Sequence, residues 1–265
     1  MTINISSKDN ERVKYTKSLL KSKNRQKESK FIIEGYRILT LAIECNADLD
    51  YVFINETFEN KEEHKNFLKV LEEKNIKIFK TTNKIFNELI DTENTQGILG
   101  VVRFKEKKIE HNIKNEDKFV LILDRIQDPG NMGTIIRTAD AAGVDEIIAL
   151  KGCVDIYNPK VIRSTMGSIF DMNIIHCTQE ECLRELKSKD FNIVSSYLNT
   201  DNYYHETDYG KKVALVIGNE ANGVNDELID ESDILVKIPI YGNAESLNAA
   251  ISSAILMYEI KKYLS

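Results

Sequence analysis

Short apolar runs separated by charged, helix-periodic stretches mark this chain as an alternation of strands and helices. Phe119-Val120-Leu121-Ile122-Leu123 is apolar at every position. That predicts a parallel strand covered on both faces, because a strand with one wet face alternates apolar and polar. Strands are expected also at Glu146–Leu150, Asn173–Cys177, Asn192–Tyr197, Val213–Ile217 and Ile234–Ile240. Helical spacing predicts helices near Asn131–Ala142, Pro159–Met166, Glu180–Ser188 and Ser246–Leu264. The first 104 residues read as a smaller α/β region. Its strands are expected at Phe31–Gly35, Tyr51–Ile54, Ile76–Phe79 and Gly97–Val102, with helices near Tyr36–Cys45, Lys61–Lys74 and Asn83–Leu89. Strand–helix alternation implies a mostly parallel sheet with helices on both faces.

Punctuation divides the chain. All three prolines and nine of the twelve glycines follow residue 117. The stretch KEKKIEHNIKNEDK, from Lys105, is charged and poor in large apolar residues, and reads as a linker. The expected division is a domain over 1–104, a linker over 105–117 and a domain over 118–265.

Charge changes the picture of partners. The formal total is −6, but residues 1–30 carry +6, residues 31–117 carry −4 and residues 118–265 carry −8. The positive charge sits in an arm over residues 8–30, which could meet phosphate or could simply be a solvated helix. The four cysteines (Cys45, Cys153, Cys177, Cys182) form no CxxC pair and no metal-ligand spacing with the histidines. They suit a reduced compartment. The N-terminus lacks a signal-peptide core, and no apolar run approaches the ~20 residues needed to span a bilayer. A soluble, cytoplasmic protein without metal is expected.

Three strand exits carry candidate chemistry. The first, Asp124 to Gly133, turns at Pro129-Gly130 and enters a helix, with Asn131 placed as a helix cap. Arg137 follows on that helix, either snorkelling to solvent or facing a ligand. The second, Gly218-Asn219-Glu220-Ala221-Asn222-Gly223, has glycines that permit close backbone approach. The third, Ile238 to Asn248, meets the last helix with Ser246 as the expected cap. Neither GxGxxG nor GxxxxGK[ST] is present, so dinucleotide and phosphate-loop readings fall away. The last helix carries two apolar stripes, one through Leu247, Ile251, Ile255 and Tyr258 and one through Ala249, Leu256, Ile260 and Tyr263. A helix apolar nearly all round packs between two partners, which motivates a homodimer.

Taken together, DPGNMGTIIRTADAAG (128–143), IGNEANG (217–223) and IPIYGNAESLNAA (238–250) resemble the three motifs of the SpoU (TrmH) family of RNA ribose 2′-O-methyltransferases, within the SPOUT superfamily. FIIEG and TQGILGVV are similar to segments of that family's N-terminal substrate-binding domain, which is like small RNA-binding ribosomal proteins. The basic opening from Ser6 to Phe31 is similar to the lead-in of the rRNA-modifying branch.

The resemblance implies a parallel sheet whose C-terminal segment passes through a loop as a trefoil knot. It implies S-adenosylmethionine held there, with Gly218, Ile238 and Leu247 as its contacts. It places Asn131, Glu220, Ser246 and Asn248 around the same pocket, and makes Arg137 a catalytic or positioning group for the ribose 2′-hydroxyl. A guanidinium rarely gives up its proton, so positioning is the easier role. Dimerisation through the C-terminal domain is implied as well. Large-subunit (23S) rRNA is the favoured substrate. A tRNA substrate, or a non-catalytic RNA-binding assembly factor on the same fold, are the alternatives.

Overall fold

The computed structural model describes residues 2–90, 92, 95–109, 113–114, 116 and 118–265. The chain forms two compact units, residues 1–105 with 157–170, and residues 106–156 with 171–265. Residues 157–170, expected in the second domain, belong to the first unit, and the stretch 105–117, expected as a linker, carries core residues. Two linker residues, Ile109 and Ile113, are instead buried in the core of the second unit. Residues 110–112, 115 and 117 of that stretch lie outside the described residues.

The first unit is built on a mixed sheet of β1 (Thr2–Ile5), β2 (Lys30–Glu34), β3 (Leu49–Asn55), β4 (Lys77–Thr81) and β5 (Ile98–Arg103). The spatial order is β1-β4-β3-β5-β2. Strands β1, β4 and β3 run parallel, whereas β5 is antiparallel to both β3 and β2. The two-residue period of β3 sends Val52 and Ile54 into one core and Tyr51 and Phe53 into another. Helices α1 (Glu11–Ser18), α2 (Ser22–Glu28), α3 (Tyr36–Glu44), α4 (Glu56–Glu59), α5 (Lys65–Glu73) and α6 (Asn83–Phe86) complete the part before residue 105. The later segment 157–170 contributes one more helix, Pro159–Thr165. Its Ile162 is buried beside Phe31 and Val102, and Tyr157 stacks on Phe31 and Phe104 with centroids 4.7 and 4.0 Å apart.

The basic arm is folded, not free. Asn10 caps α1 by accepting from Arg12 N. The Arg12 guanidinium lies 4.9 Å from the Tyr51 ring centroid. Arg25 is buried and donates to the carbonyls of Leu19 and Leu20 at 2.9 and 2.8 Å. Lys14, Lys17 and Lys30 pair with Asp9, Glu88 and Asp50. Lys21 and Lys23 are exposed and make no ion pair among the described residues.

The second unit is a six-stranded sheet of β6 (Phe119–Leu123), β7 (Glu146–Leu150), β8 (Ile174–Cys177), β9 (Asn192–Ser196), β10 (Val213–Ile217) and β11 (Ile234–Val236). Its order is β11-β9-β10-β6-β7-β8, and every pairing is parallel. The chain runs outward from β6 to β8 and then returns to the other side of β6. The topology therefore switches between β6 and β10, where open α/β sheets leave a crevice for a ligand. Its helices are α7 (Pro129–Ala142), α9 (Gln179–Ser188), α10 (Asp226–Asp230) and α11 (Ala249–Leu264); the first unit's helix Pro159–Thr165 is α8 in chain order. Helix α11 packs on α7, and Lys261 Nζ donates 2.8 Å to the carbonyl of Gly143 at the α7 C-cap.

Both expected caps are displaced. Asp128, not Asn131, caps α7, accepting from Asn131 N at 2.8 Å. Pro129 fits the first helical position because its missing N–H would be unsatisfied there anyway. At α11 the cap is Asn248 rather than Ser246, accepting from Ala250 N and Ile251 N. No helix among the described residues is long and apolar enough to cross a membrane.

Candidate active site

The carboxyl ends of β9, β10 and β11 open into a cavity of about 350 Å³ within the second unit. Its wall includes Gly218, Glu220, Ile238, Ile240, Ser246 and Leu247. That volume lies in the range of small-molecule and cofactor sites, ~300–1,000 Å³. Four of the expected site residues on the second and third loops (Gly218, Glu220, Ile238, Leu247) share this wall, and Ser246 joins them.

The second loop is folded back on itself. Asn219 and Gly223 exchange backbone hydrogen bonds of 2.9 Å in both directions. The Asn219 carboxamide oxygen accepts from Ala221 N and Asn222 N, both at 3.0 Å. The loop closes so tightly that a Cβ on Gly218 would run into the backbone of Gly223 and Val224. Glycine is required there for close packing, and Gly223 takes φ +69°, a conformation glycine adopts readily.

Glu220 ties this loop to the first one. Its carboxylate accepts from Gln127 N at 3.2 Å, Asp128 N at 3.1 Å and Asn131 Nδ2 at 3.1 Å. Partial burial alone would raise the Glu220 carboxyl. The hydrogen bonds from Asn131 and the backbone outweigh it and hold the group below its ordinary value. A carboxylate so occupied is a strut rather than a general base. Asn131 passes the connection on, because Asn248 Nδ2 donates to its Oδ1 at 2.9 Å. One chain of side chains thus joins all three loops: Glu220 to Asn131 to Asn248, and from Asn248 into the first turn of α11.

A second connection had no expectation from sequence. Asp124 is buried at the end of β6. Its carboxylate accepts from Arg125 Nε and Nη2 at 2.8 and 2.9 Å, and from Asn225 N at 2.9 Å. Arg125, at φ +55°, also donates to the Gly223 carbonyl at 3.3 Å, while its own carbonyl accepts from Asn219 Nδ2 at 2.9 Å. Pairing between positions about a hundred apart leaves no local periodicity to read; the only sequence signal was a charged pair directly after a buried strand.

Arg137 stands apart. It is exposed on α7, outside the cavity wall, and makes no side-chain hydrogen bond or ion pair among the described residues. Cys153 is the cysteine beside these loops. Burial pushes its thiol up to about 11, and the nearby Asp124 and Glu220 carboxylates reinforce that. It donates to the Leu123 carbonyl at 3.2 Å and stays protonated near neutrality, so it is no nucleophile. Among the described residues, no group of three or more His, Cys, Asp or Glu side chains is placed to hold a metal.

A parallel sheet with a backbone-lined cavity at the carboxyl ends of its strands defines an α/β protein with room for a small cofactor-sized ligand. Comparison with known proteins narrows this. The model of the SpoU rRNA methylase family matches residues 118–258, and that of the MRM3-like substrate binding domain matches residues 10–100. The chain belongs to the SpoU rRNA methylase family. It is 32% identical over 257 residues to the 23S rRNA (guanosine(2553)-2′-O)-methyltransferase RlmP of Bacillus subtilis, covering 97% of this chain and 98% of that protein. The AdoMet-bound rRNA methyltransferase of Sinorhizobium meliloti superposes with a TM-score of 0.90 at 28% identity, over 100% of this chain and 99% of the other. The SpoU methyltransferase AviRb of Streptomyces viridochromogenes, in complex with AdoMet, gives 0.86 at 25% identity, over 96% and 97%.

Proposed function

We propose that this protein is an S-adenosylmethionine-dependent methyltransferase acting on a ribose 2′-hydroxyl of 23S rRNA. The observation that carries the reading is the cavity at the ends of β9, β10 and β11, walled by the second and third family motifs in a chain that aligns end to end with an rRNA 2′-O-methyltransferase. The residues present fit the cofactor. Gly218 lets the backbone come close, Ile217, Ile238, Ile240 and Leu247 supply apolar wall, and exposed loop amides supply hydrogen bonds.

The cofactor, when bound, supplies an electrophilic sulfonium methyl group. The protein's task is then largely to hold the hydroxyl in line, since positioning can contribute much of a barrier. The Glu220–Asn131–Asn248 chain keeps the walls of the cavity in register. Arg137, a fixed cation without an ion-pair partner, orients the 2′-hydroxyl and stabilises the negative charge that develops on its oxygen. The hydroxyl proton leaves to solvent.

The first unit is read as the part that holds RNA, through the matched substrate-binding domain and the unpaired Lys21 and Lys23. The apolar stripe of α11 that faces away from its own core, through Ile251 and Tyr258, is exposed by 54–55% and supports a homodimer through the second unit. The motif resemblance supports threading of the C-terminal segment as a trefoil knot. Work on ribosomal RNA would place the protein in the cytoplasm.

Methyl transfer from tritiated S-adenosylmethionine to unmodified 23S rRNA tests the reading. Arg137→Ala is expected to lose about 100-fold or more in kcat, the scale for removing one charge-stabilising donor. Its melting temperature should change little, since the exposed side chain makes no hydrogen bond or ion pair among the described residues. Unaltered turnover in this variant overturns the role of Arg137; no transfer by the unaltered protein overturns the activity.

A further inference from the structure

Proteins that single out one nucleotide of an RNA commonly splay it out of the stack. Proteins that do this hold the freed base against an aromatic or apolar face. The segments around the cavity carry several tyrosines. Tyr197 lies in the wall and is half-buried. Tyr203 is already faced by a cation, with Lys237 Nζ 5.1 Å from its ring centroid. Tyr241 is different. It is 93% exposed, the most exposed large apolar residue among those described. It follows Ile240, which lines the cavity, and precedes Ser246 and Leu247, which line it too, yet it is not itself part of the wall. Neither its ring nor its hydroxyl has a partner among the described residues.

We propose that Tyr241 is a substrate-positioning residue that stacks on a base of the RNA presented for methylation. The proposal rests on the reading of the site as an RNA methyltransferase. A ring left in water beside an apolar cavity has an unspent face, and every base offers a π-face to it. The rest of the loop, residues 241–248, is exposed throughout and polar at Asn243, Glu245 and Ser246. Its one ring is therefore an isolated anchor rather than part of an apolar patch. The hydroxyl is incidental to stacking, which separates Tyr241 from a hydrogen-bonding specificity group.

The test compares the full-length protein with Tyr241→Ala and Tyr241→Phe. Binding of an unmodified 23S rRNA transcript is read by filter retention, S-adenosylmethionine binding by calorimetry, subunit mass by light scattering, and turnover by tritium transfer. Tyr241→Ala is expected to weaken RNA binding and raise the RNA KM about tenfold, with kcat, cofactor affinity and mass unchanged. Tyr241→Phe should stay within about twofold of the unaltered protein. Equal RNA affinity in Tyr241→Ala overturns the proposal. So does a loss of cofactor affinity, which would make the ring a cofactor shield. A change in subunit mass overturns it as well, by placing the ring between two copies of the chain. Failure of the underlying reading is visible separately, because RNA affinity is measured without turnover. A protein that transfers no methyl group, yet binds RNA tenfold less tightly as Tyr241→Ala, loses the reaction and keeps the stacking contact.

Discussion

The two loops that wall the cavity are held in opposite ways. The loop over residues 218–224 is fastened at three places: by the backbone exchange of Asn219 and Gly223, by Glu220 on the first loop, and by the Asp124–Arg125 pair. The loop over 241–248 is exposed along its length, and among the described residues its one side-chain hydrogen bond to another loop is that of Asn248, at the helix end, with Asn131. A fixed wall suits a cofactor bound through backbone groups, because groups already in place lose little entropy on binding. An unfastened wall suits a macromolecular substrate whose arrival must be accommodated.

Perturbing the fixed wall should therefore cost most. Gly218→Val forces a side chain into the backbone of Gly223 and Val224. It is expected to destabilise by about 3 kcal/mol, the upper range for overpacking, and to abolish cofactor binding; calorimetry and a denaturant melt read both. Arg125→Ala removes two of the three donors to the buried Asp124 and is expected to cost about 1–3 kcal/mol, with cofactor affinity reduced but not lost. Should Arg125→Ala melt like the unaltered protein, the clasp would have no energetic role.

Glu220 offers a pH test. Its carboxyl is held below the ordinary value of 4.5. Depression in the folded state means the stabilising contribution is present above that value and fades as pH falls through the folded pKa. Cofactor affinity should therefore be level near neutrality and decline below about pH 4.5, and Glu220→Gln should flatten that decline. At the small end lies the other wall: Asn243→Ala is expected to shift stability by less than about 0.5 kcal/mol. A large shift there would erase the contrast between the loops.

Legibility from sequence followed the same divide between local and long-range causes. Strands β6 and β10 were readable because burial on both faces makes every position apolar, and β7 because Glu146 alone interrupts such a run. The short β1 was not, since four residues carry too little periodicity, and the arm that allows one solvated helix forms two, α1 and α2. The cap of α7 was misplaced by three residues: Asn131 and Asp128 are both good caps, and the helical dihedral of Pro129 decides between them. Glycine-rich strand exits announced the cavity, and the motif residues named Gly218, Glu220, Ile238, Ser246, Leu247, Asn131 and Asn248 as neighbours. The Asp124–Arg125 clasp stayed hidden because its partners, Gly223 and Asn225, are distant in the chain.

The excursion of residues 157–170 bears on how such proteins can be taken apart. The first unit is not a contiguous piece of chain: Tyr157 covers the rings of Phe31 and Phe104, and Ile162 fills a place in its core. A fragment ending at residue 105 would bare those rings to water, and stacked aromatic pairs alone are worth about 0.5–1.5 kcal/mol each. The two units are thus interleaved rather than strung in series. Transplanting the first unit onto another second unit would succeed only if the fourteen-residue stretch travelled with it.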